Sequence, residues 1–268
     1  MVFSSLLFLF RFLPAAFLAY YLTPKKCKNL TLLIVSLIFY SWGEVRYFPI
    51  MLSIILVNYL AGLGIGRWRG HRKLCRGILA VSVVFSVGFL AFFKYSNFLL
   101  MNLNALFGTS FPMLEVTKNL PLGISFYTFQ IMTYTIDVYF HKIEVERNII
   151  DFGTFVVLFP QLIAGPIVKY SDINRELKDR QITLDAIQDG IALFIFGLGS
   201  KVLLANNIGA LWTEVESAGF TNLSTAGAWL ALSAYALQIY FDFSGYSLMA
   251  IGMGRALGFH FPQNFNYP

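Results

Sequence analysis

Charge is scarce in this sequence. Of its 268 residues 13% are Asp, Glu, Lys or Arg, against about a quarter in a typical soluble domain. Hydrophobic residues make up 57%, and the mean hydropathy is +0.66. That composition excludes a soluble α/β or all-β domain. An aromatic content of 17% excludes disorder. Cysteine is limited to Cys27 and Cys75, both in Lys/Arg-rich segments, a spacing that supports neither a disulfide framework nor a zinc site. There are three histidines, His71, His141 and His260, and no His-Glu-x-x-His pattern, so no metal site is expected. Nucleotide-binding loops are missing too. Gly252-Met-Gly254-Arg-Ala-Leu-Gly258 misses the dinucleotide spacing by one residue, and Gly197-Leu-Gly199-Ser-Lys201 lacks the Gly-Lys of a phosphate-binding loop.

Acids are nearly absent from the first hundred residues, which hold eleven Lys or Arg and one acid, Glu44. From residue 101 the balance reverses, with nine Lys or Arg and thirteen acids. The early basic residues lie between long apolar runs. Membrane topology explains them better than a nucleic-acid partner, and none is expected.

What is present is a succession of apolar segments. Residues 4–22, 29–42, 47–66, 77–93, 121–140, 187–211, 225–243 and 244–259 each approach the roughly 20 residues that cross a bilayer. Residues 152–168 are also apolar but contain Pro160 and Gly165-Pro166, which predicts a broken or re-entrant helix. The fold class is therefore all-α, a polytopic membrane protein with about seven to nine membrane helices. Residues 4–22 make a poor cleavable signal, because Arg11 interrupts the run and no basic region precedes it. Lys25, Lys26 and Lys28, and the cluster from Arg67 to Arg76, are separated by two crossings and both read as cytoplasmic. Glu44 and the N-terminus then lie outside. Of two sequons, Asn29 abuts the cytoplasmic lysines, and Asn222 carries no topological information. Residues 169–183 are the most charged stretch. Ile173 and Leu177 at i,i+4 predict a short interfacial helix, and Thr183 reads as the N-cap of the next one, with Asp185 in its first turn.

Polar residues within apolar segments are costly in lipid and tend to line cavities. Gln130, Tyr134, Asp137 and His141 fall at i, i+4, i+7 and i+11, which puts them on one helix face. Tyr235, Gln238, Asp242 and Tyr246 form a second stripe. The stripes suit a polar funnel or tunnel wall; equally, they suit hydrogen-bonding glue between helices. Asp137 and Asp242 could also sit at headgroup level. Lys201 calls for an acidic partner, which spacing does not identify. Gly62, Gly64 and Gly66 read as close helix packing. Arg11 and Arg255 can reach the interface, and His71, His141 and His260 read as surface or structural residues rather than bases.

Several stretches in order resemble the membrane-bound O-acyltransferase family, and its bacterial alginate O-acetyltransferase branch above all. They are Phe3-Ser-Ser-Leu-Leu-Phe-Leu-Phe, Phe39-Tyr-Ser-Trp-Gly43, Leu120-Pro-Leu-Gly-Ile-Ser-Phe-Tyr-Thr-Phe-Gln130 and Asp137-Val-Tyr139. Phe159-Pro-Gln-Leu-Ile-Ala-Gly-Pro166, Gln238-Ile-Tyr-Phe-Asp-Phe-Ser-Gly-Tyr-Ser247 and Leu257-Gly-Phe-His-Phe-Pro-Gln-Asn-Phe-Asn-Tyr-Pro268 follow. The resemblance implies one transmembrane domain over residues 1–268 of a bacterial cytoplasmic-membrane protein. It implies transfer of an acetyl or other acyl group across the membrane to hydroxyls of an exported polysaccharide such as alginate. Gln130, Tyr134, Asp137, Gln238, Asp242 and Tyr246 would line the tunnel. No bound cofactor is expected; an acyl thioester or acyl carrier acts as co-substrate. The implied partners are the lipid bilayer, the polysaccharide, an acyl-donor protein and extracytoplasmic acetylation proteins. The family's catalytic histidine follows the Asn-Phe-Asn-x-Pro motif, so it is expected beyond Pro268, with this chain as an N-terminal part that is inactive alone. Leu248 stands where many relatives carry Asp, which loosens the link to alginate. D-Alanyl transfer to teichoic acid, a transporter or flippase, and a non-catalytic membrane fragment are the competing readings.

Overall fold

The computed structural model describes residues 3–117, 120–162, 165–220 and 223–266, and every regular element among them is a helix. The Asn222 sequon and Pro268 lie outside the described residues. Three helical stretches, Lys25–Arg67, Arg72–Phe107 and Leu184–Ala218, are long and apolar enough to cross a membrane, and Phe8–Leu22 is a shorter apolar helix. The chain divides into two compact units, one of Lys25–Ile163 with Lys169–Ser171, the other of Met1–Pro24, Ala164–Val168 and Asp172–Pro268.

In the first unit, α2 (Lys28–Glu44) and α3 (Phe48–Arg67) are separated where Glu44 leaves helical geometry at φ −145°, ψ 56°. Helix α4 (Arg72–Phe107) runs 36 residues, about 54 Å at 1.5 Å per residue. It continues well past the segment 77–93 expected from hydropathy, because Lys94 and the polar residues beyond it do not break helical geometry. It stops at Gly108, whose φ of +62° suits a glycine. Between α3 and α4, Asn58 Nδ2 donates to Ser86 Oγ (2.9 Å) and Asn58 Oδ1 accepts from Ser82 Oγ (2.7 Å), a buried polar pin. Helix α5 (Ile124–Tyr139) follows Gly123, and α6 (Ile149–Val157) is capped by Asn148 Oδ1, which accepts the Ile150 N–H. The expected broken segment is present. Helix α6 lasts nine residues, Leu158 turns extended ahead of Pro160, and a turn occupies residues 159–162. This non-helical backbone is buried.

The two basic loops gather at one end of this unit. Arg69 pairs with Glu144 at 3.1 Å, and Asn29 donates to Asp151 at 2.6 Å, only seven residues further along. The close packing expected of Gly62 and Gly66 is also found. A Cβ at Gly62 would fall 2.8 Å from the Tyr134 ring, and one at Gly66 would fall 2.5 Å from Val145.

The second unit holds α1 (Leu13–Leu22), preceded by a π-helical turn Phe8–Phe12, then α7 (Tyr170–Lys178) from Asp172 onward, α8 (Leu184–Gly199), α9 (Asn206–Ala218) and α10 (Thr225–Ala256). Ile173 and Leu177 of α7 are buried, as their spacing predicts. Thr183 Oγ1 accepts the Ala186 N–H at 3.1 Å and caps α8. Hydropathy suggested two segments over 225–243 and 244–259, but a single 32-residue helix covers them. Two glycines of the Gly-rich second half, Gly245 and Gly252, serve helix packing. A Cβ on Gly197 would lie 2.5 Å from Gly245 O, and one on Gly190 would lie 2.6 Å from Gly252 O. The reciprocal distances are 2.7 and 2.5 Å. The antiparallel α8 and α10 therefore touch backbone to backbone at two points two turns apart. One glycine of each run rejected above as a nucleotide loop, Gly197 and Gly252, is explained in this way.

Candidate active site

Three of the stretches quoted above converge in the first unit. The turn after α6 is held by side chains from α2 and α5. Gln130 Nε2 donates to the Phe155 carbonyl at 3.1 Å, and Gln161 Nε2 donates to the same oxygen at 2.5 Å. The Phe159 N–H donates to Ser36 Oγ at 3.0 Å, and the Phe39 and Phe159 rings lie 6.0 Å apart. Gly123 approaches the turn so closely that a Cβ would sit 2.7 Å from Leu162 O, and its φ is +72°. Around this junction the hydroxyls of Tyr40, Tyr127 and Thr128 and the Gln161 Oε1 are buried without a hydrogen-bond partner among the described residues. The Tyr40 and Tyr127 hydroxyls lie beside each other without hydrogen-bond geometry. A cluster of uncommitted polar atoms in a buried place is suited to water or a hydroxyl-bearing ligand.

The Phe155 carbonyl yields a test. Replacing either Gln130 or Gln161 by Leu leaves the carbonyl one donor and should cost about 1 kcal/mol. Replacing both orphans it, and the double variant should lose about 3 kcal/mol or more, beyond the sum of the singles. Thermal unfolding in detergent measures this; additive losses would show that the two bonds do not share one acceptor's satisfaction.

The first stripe lies on α5. Gln130 and Tyr134 are buried, and Asp137 keeps 14% side-chain exposure beside Lys142 at 3.7 Å. Tyr134 Oη accepts the Glu146 N–H at 3.0 Å. Glu146 is itself buried, with Oε1 accepting the Asn148 N–H and Oε2 accepting from the Tyr170 hydroxyl. Burial and then the adjacent carboxylate push that tyrosine above its ordinary range. His141 does not share the stripe. Helix α5 ends at Tyr139, and His141 takes φ 58° in an exposed turn.

The second stripe lies on α10. Tyr246 is buried, its hydroxyl accepts the Phe3 N–H at 3.0 Å, and its ring stacks on Phe3. Asp242 pairs with Lys201 at 2.7 Å, with side-chain exposures of 37% and 17%. This is the acidic partner that spacing left unidentified. Lys201 lies in a π-helical stretch, Ser200–Ala205, between α8 and α9, a distortion frequent at functional sites. Both charges sit near the middle of their long helices, where ionisable groups mark function by default. Gln238 packs against Gly209 with its Oε1 buried and without a hydrogen-bond partner among the described residues. Tyr235 is half exposed and its ring lies 4.6 Å from that of Trp212. Arg255 pairs with Asp189 at 3.2 Å, and His71 is exposed.

His260 has a partner that helical spacing could not disclose. Its Nδ1 lies 2.6 Å from Glu176 Oε1, and its N–H donates to Glu176 Oε2 at 2.9 Å. The two residues are 84 positions apart.

No protein-family model matches the chain. Curated proteins do match. A probable alginate O-acetylase, AlgI, of Pseudomonas aeruginosa is 41% identical over 271 residues, spanning 100% of this chain and 52% of the relative. The chain is a homologue of the alginate O-acetylases. A peptidoglycan O-acetyltransferase of Helicobacter pylori is 34% identical over 302 residues, covering 100% of this chain and 56% of that protein. A teichoic acid D-alanyltransferase of Lacticaseibacillus rhamnosus is 31% identical over 160 residues, 55% of this chain and 38% of that one. The chain thus spans about half the length of the curated relatives it matches.

Proposed function

We propose that the protein is a membrane-bound O-acyltransferase that moves an acetyl or related acyl group to hydroxyls of an exported polysaccharide of the alginate type. The observation that carries this reading is identity of about two residues in five with alginate O-acetylases along the entire chain. The match to D-alanyltransferases covers little more than half of it. The acyl group comes from a thioester or an acyl-carrier protein as co-substrate, and extracytoplasmic acetylation proteins receive or guide the acceptor. Within the first unit, the α5 stripe and the uncommitted hydroxyls near Pro160 suit the lining of a path for such substrates.

In this reading both compact units belong to one transmembrane domain of the bacterial cytoplasmic membrane. Helices α2 and α3 cross separately, and with α4, α5, α10, the Phe8–Leu22 helix, the α8–α9 pair and the re-entrant α6 segment they fall within seven to nine membrane segments. Lys25 to Lys28 and Arg67 to Arg76 face the cytoplasm. Cys75 is a poor reporter of this, being buried with its thiol on the Trp68 carbonyl. Cys27 is exposed and adjoins Lys26 and Lys28. In intact spheroplasts a membrane-impermeant maleimide should leave Cys27 unlabelled and should modify it after permeabilisation; labelling from outside would invert the topology. The function itself is tested by deleting the gene and measuring alkali-labile esters on the exported polysaccharide. They should vanish and return with the complete gene product. Unchanged ester content would remove the proposal.

A further inference from the structure

We infer that Tyr40 and Tyr127, beside the turn that carries Gln161, form a site for one neutral hydroxyl group, supplied by water or by the acceptor. Only the second source rests on the acyl-transfer reading above. All three side chains are buried beyond nine-tenths, Tyr40 at 1% exposure, Tyr127 at 0% and Gln161 at 3%. The two phenol hydroxyls lie beside each other without bonding to each other. Neither they nor Gln161 Oε1 has a hydrogen-bond partner among the described residues. Buried polar atoms are costly to leave unpaired, so folded proteins satisfy them with protein groups or with an ordered guest.

The walls of the site are held in place by the backbone around it. Ser36, Tyr40 and Glu44 fall at i, i+4 and i+8 on α2 and share one face. Ser36 Oγ accepts the Phe159 N–H at 3.0 Å, so Tyr40 stands one turn beyond that anchor. On α5, a Cβ at Gly123 would lie 2.7 Å from Leu162 O and 3.8 Å from Tyr127 Cδ1, which places Tyr127 against the other end of the turn. Gln161 stands between these two anchors. Its Nε2 is committed to the Phe155 carbonyl, and this fixes the direction of its Oε1.

The unpaired atoms select the guest by chemistry. An amide oxygen only accepts, whereas a phenol both donates and accepts. A guest that satisfies all three must donate a proton and also receive one. A hydroxyl or a water does both; a carbonyl has nothing to donate, and an ammonium has no lone pair. Anions are disfavoured because the Glu44 carboxylate acts through space on both tyrosine hydroxyls.

Position agrees with this choice. Helix α2 spans 17 residues from Lys28 to Glu44, about 25 Å. In the topology proposed above, Lys28 faces the cytoplasm and Glu44 the outside, so Tyr40 lies one turn in from the outer end. Water and an exported sugar both arrive from that side, and a cytoplasmic thioester enters from the other.

Phenylalanine keeps the ring and removes only the hydroxyl. Tyr40→Phe, Tyr127→Phe and the double variant are therefore compared in the complete gene product in nanodiscs. Each single variant should lower the thermal unfolding midpoint, and the double should fall little further than the worse single, because one guest bridges both hydroxyls. Kinetics with a labelled acetyl thioester and a mannuronate oligosaccharide then name the source. A rise of about fivefold in acceptor KM at unchanged donor KM identifies the acceptor hydroxyl as the guest. Unchanged values of both, with the non-additive loss of stability, identify water. Additive losses would overturn the site, since each hydroxyl would then have a partner of its own. Single variants as stable as the parent, or more so, would also overturn it, since the hydroxyls would then bind nothing. A rise in donor KM alone would put a carbonyl in the site and contradict the hydroxyl assignment. If the unmutated protein acylates no acceptor while the stability losses remain non-additive, the acyl-transfer reading fails and the site stands as a water site.

Discussion

Gly197→Leu should dismantle the second unit. A Cβ at this position already lies 2.5 Å from Gly245 O, 2.7 Å from the Met249 N and 3.0 Å from Leu248 Cβ. Two of these obstacles are backbone atoms, which cannot rotate aside. The helices must separate, and at closest approach that forfeits the interlocked contacts along α8 and α10 as well as the local one. Overpacking usually costs 1–3 kcal/mol when side chains can yield; with backbone on both sides the loss should be at least about 3 kcal/mol. Gly245→Leu should behave alike, because it meets Gly197 O at 2.7 Å. Gly199→Leu is the control, since no atom lies within 4 Å of its Cβ position. The readout is the thermal unfolding midpoint in detergent and the yield of folded protein. Equal behaviour of Gly197→Leu and Gly199→Leu would show that α8 and α10 do not cross as described.

Lys201→Met should be nearly as damaging, for an electrostatic reason. It leaves the Asp242 carboxylate without its cation in the middle of an apolar helix. Breaking a fully buried pair costs about 3–5 kcal/mol. Asp242 retains 37% side-chain exposure, so some solvation survives and about 2 kcal/mol is the expected loss. Lys201→Met combined with Asp242→Leu should recover most of that stability, because apolar replacements of an ion pair are commonly neutral or better. The double variant also separates the two meanings of the stripe. Glue can be replaced by packing, so a merely structural pair would leave acyl transfer intact in a stable double variant. A pair that handles substrate would leave a folded protein with little transfer, and the proposed function expects that second outcome.

The helical class was legible in the sequence because hydropathy, scarce charge and cap residues are local properties. Thr183 could be read as a cap, and Ile173 and Leu177 as a buried edge, from five or six neighbouring residues. Pro160 announced the break after α6 for the same reason. Glycine misled locally. Residues 225–243 and the Gly-rich 244–259 read as two segments, yet α10 passes straight through because Gly245 and Gly252 pack against the backbone of another helix. Its partner glycines, Gly190 and Gly197, lie 62 and 48 residues upstream of Gly252 and Gly245. The candidate site divides in the same way. Gln130 and Tyr134 were found by their period along one helix, while His141 dropped from the stripe because α5 ends two residues earlier. The Lys201–Asp242 and Glu176–His260 pairs join distant segments, and no spacing rule could have matched them. Gln161, Tyr40 and Tyr127 were missed because a turn residue and two aromatics carry no periodic signal; only the fold brings them to one junction.

Vectorial acyl transfer by the purified protein is the measurement that bears most directly on what this chain does. The complete gene product is reconstituted with its basic loops facing outward, a labelled acetyl thioester is supplied outside, and a mannuronate-rich polysaccharide is sealed inside. Alkali-labile label should appear on the enclosed polysaccharide and depend on intact vesicles. Protein that inserts in the bilayer yet leaves the polysaccharide unlabelled, or that transfers D-alanine but not acetyl when D-alanyl and acetyl thioesters are supplied in parallel, would contradict the assignment as an O-acetyl-transferring enzyme.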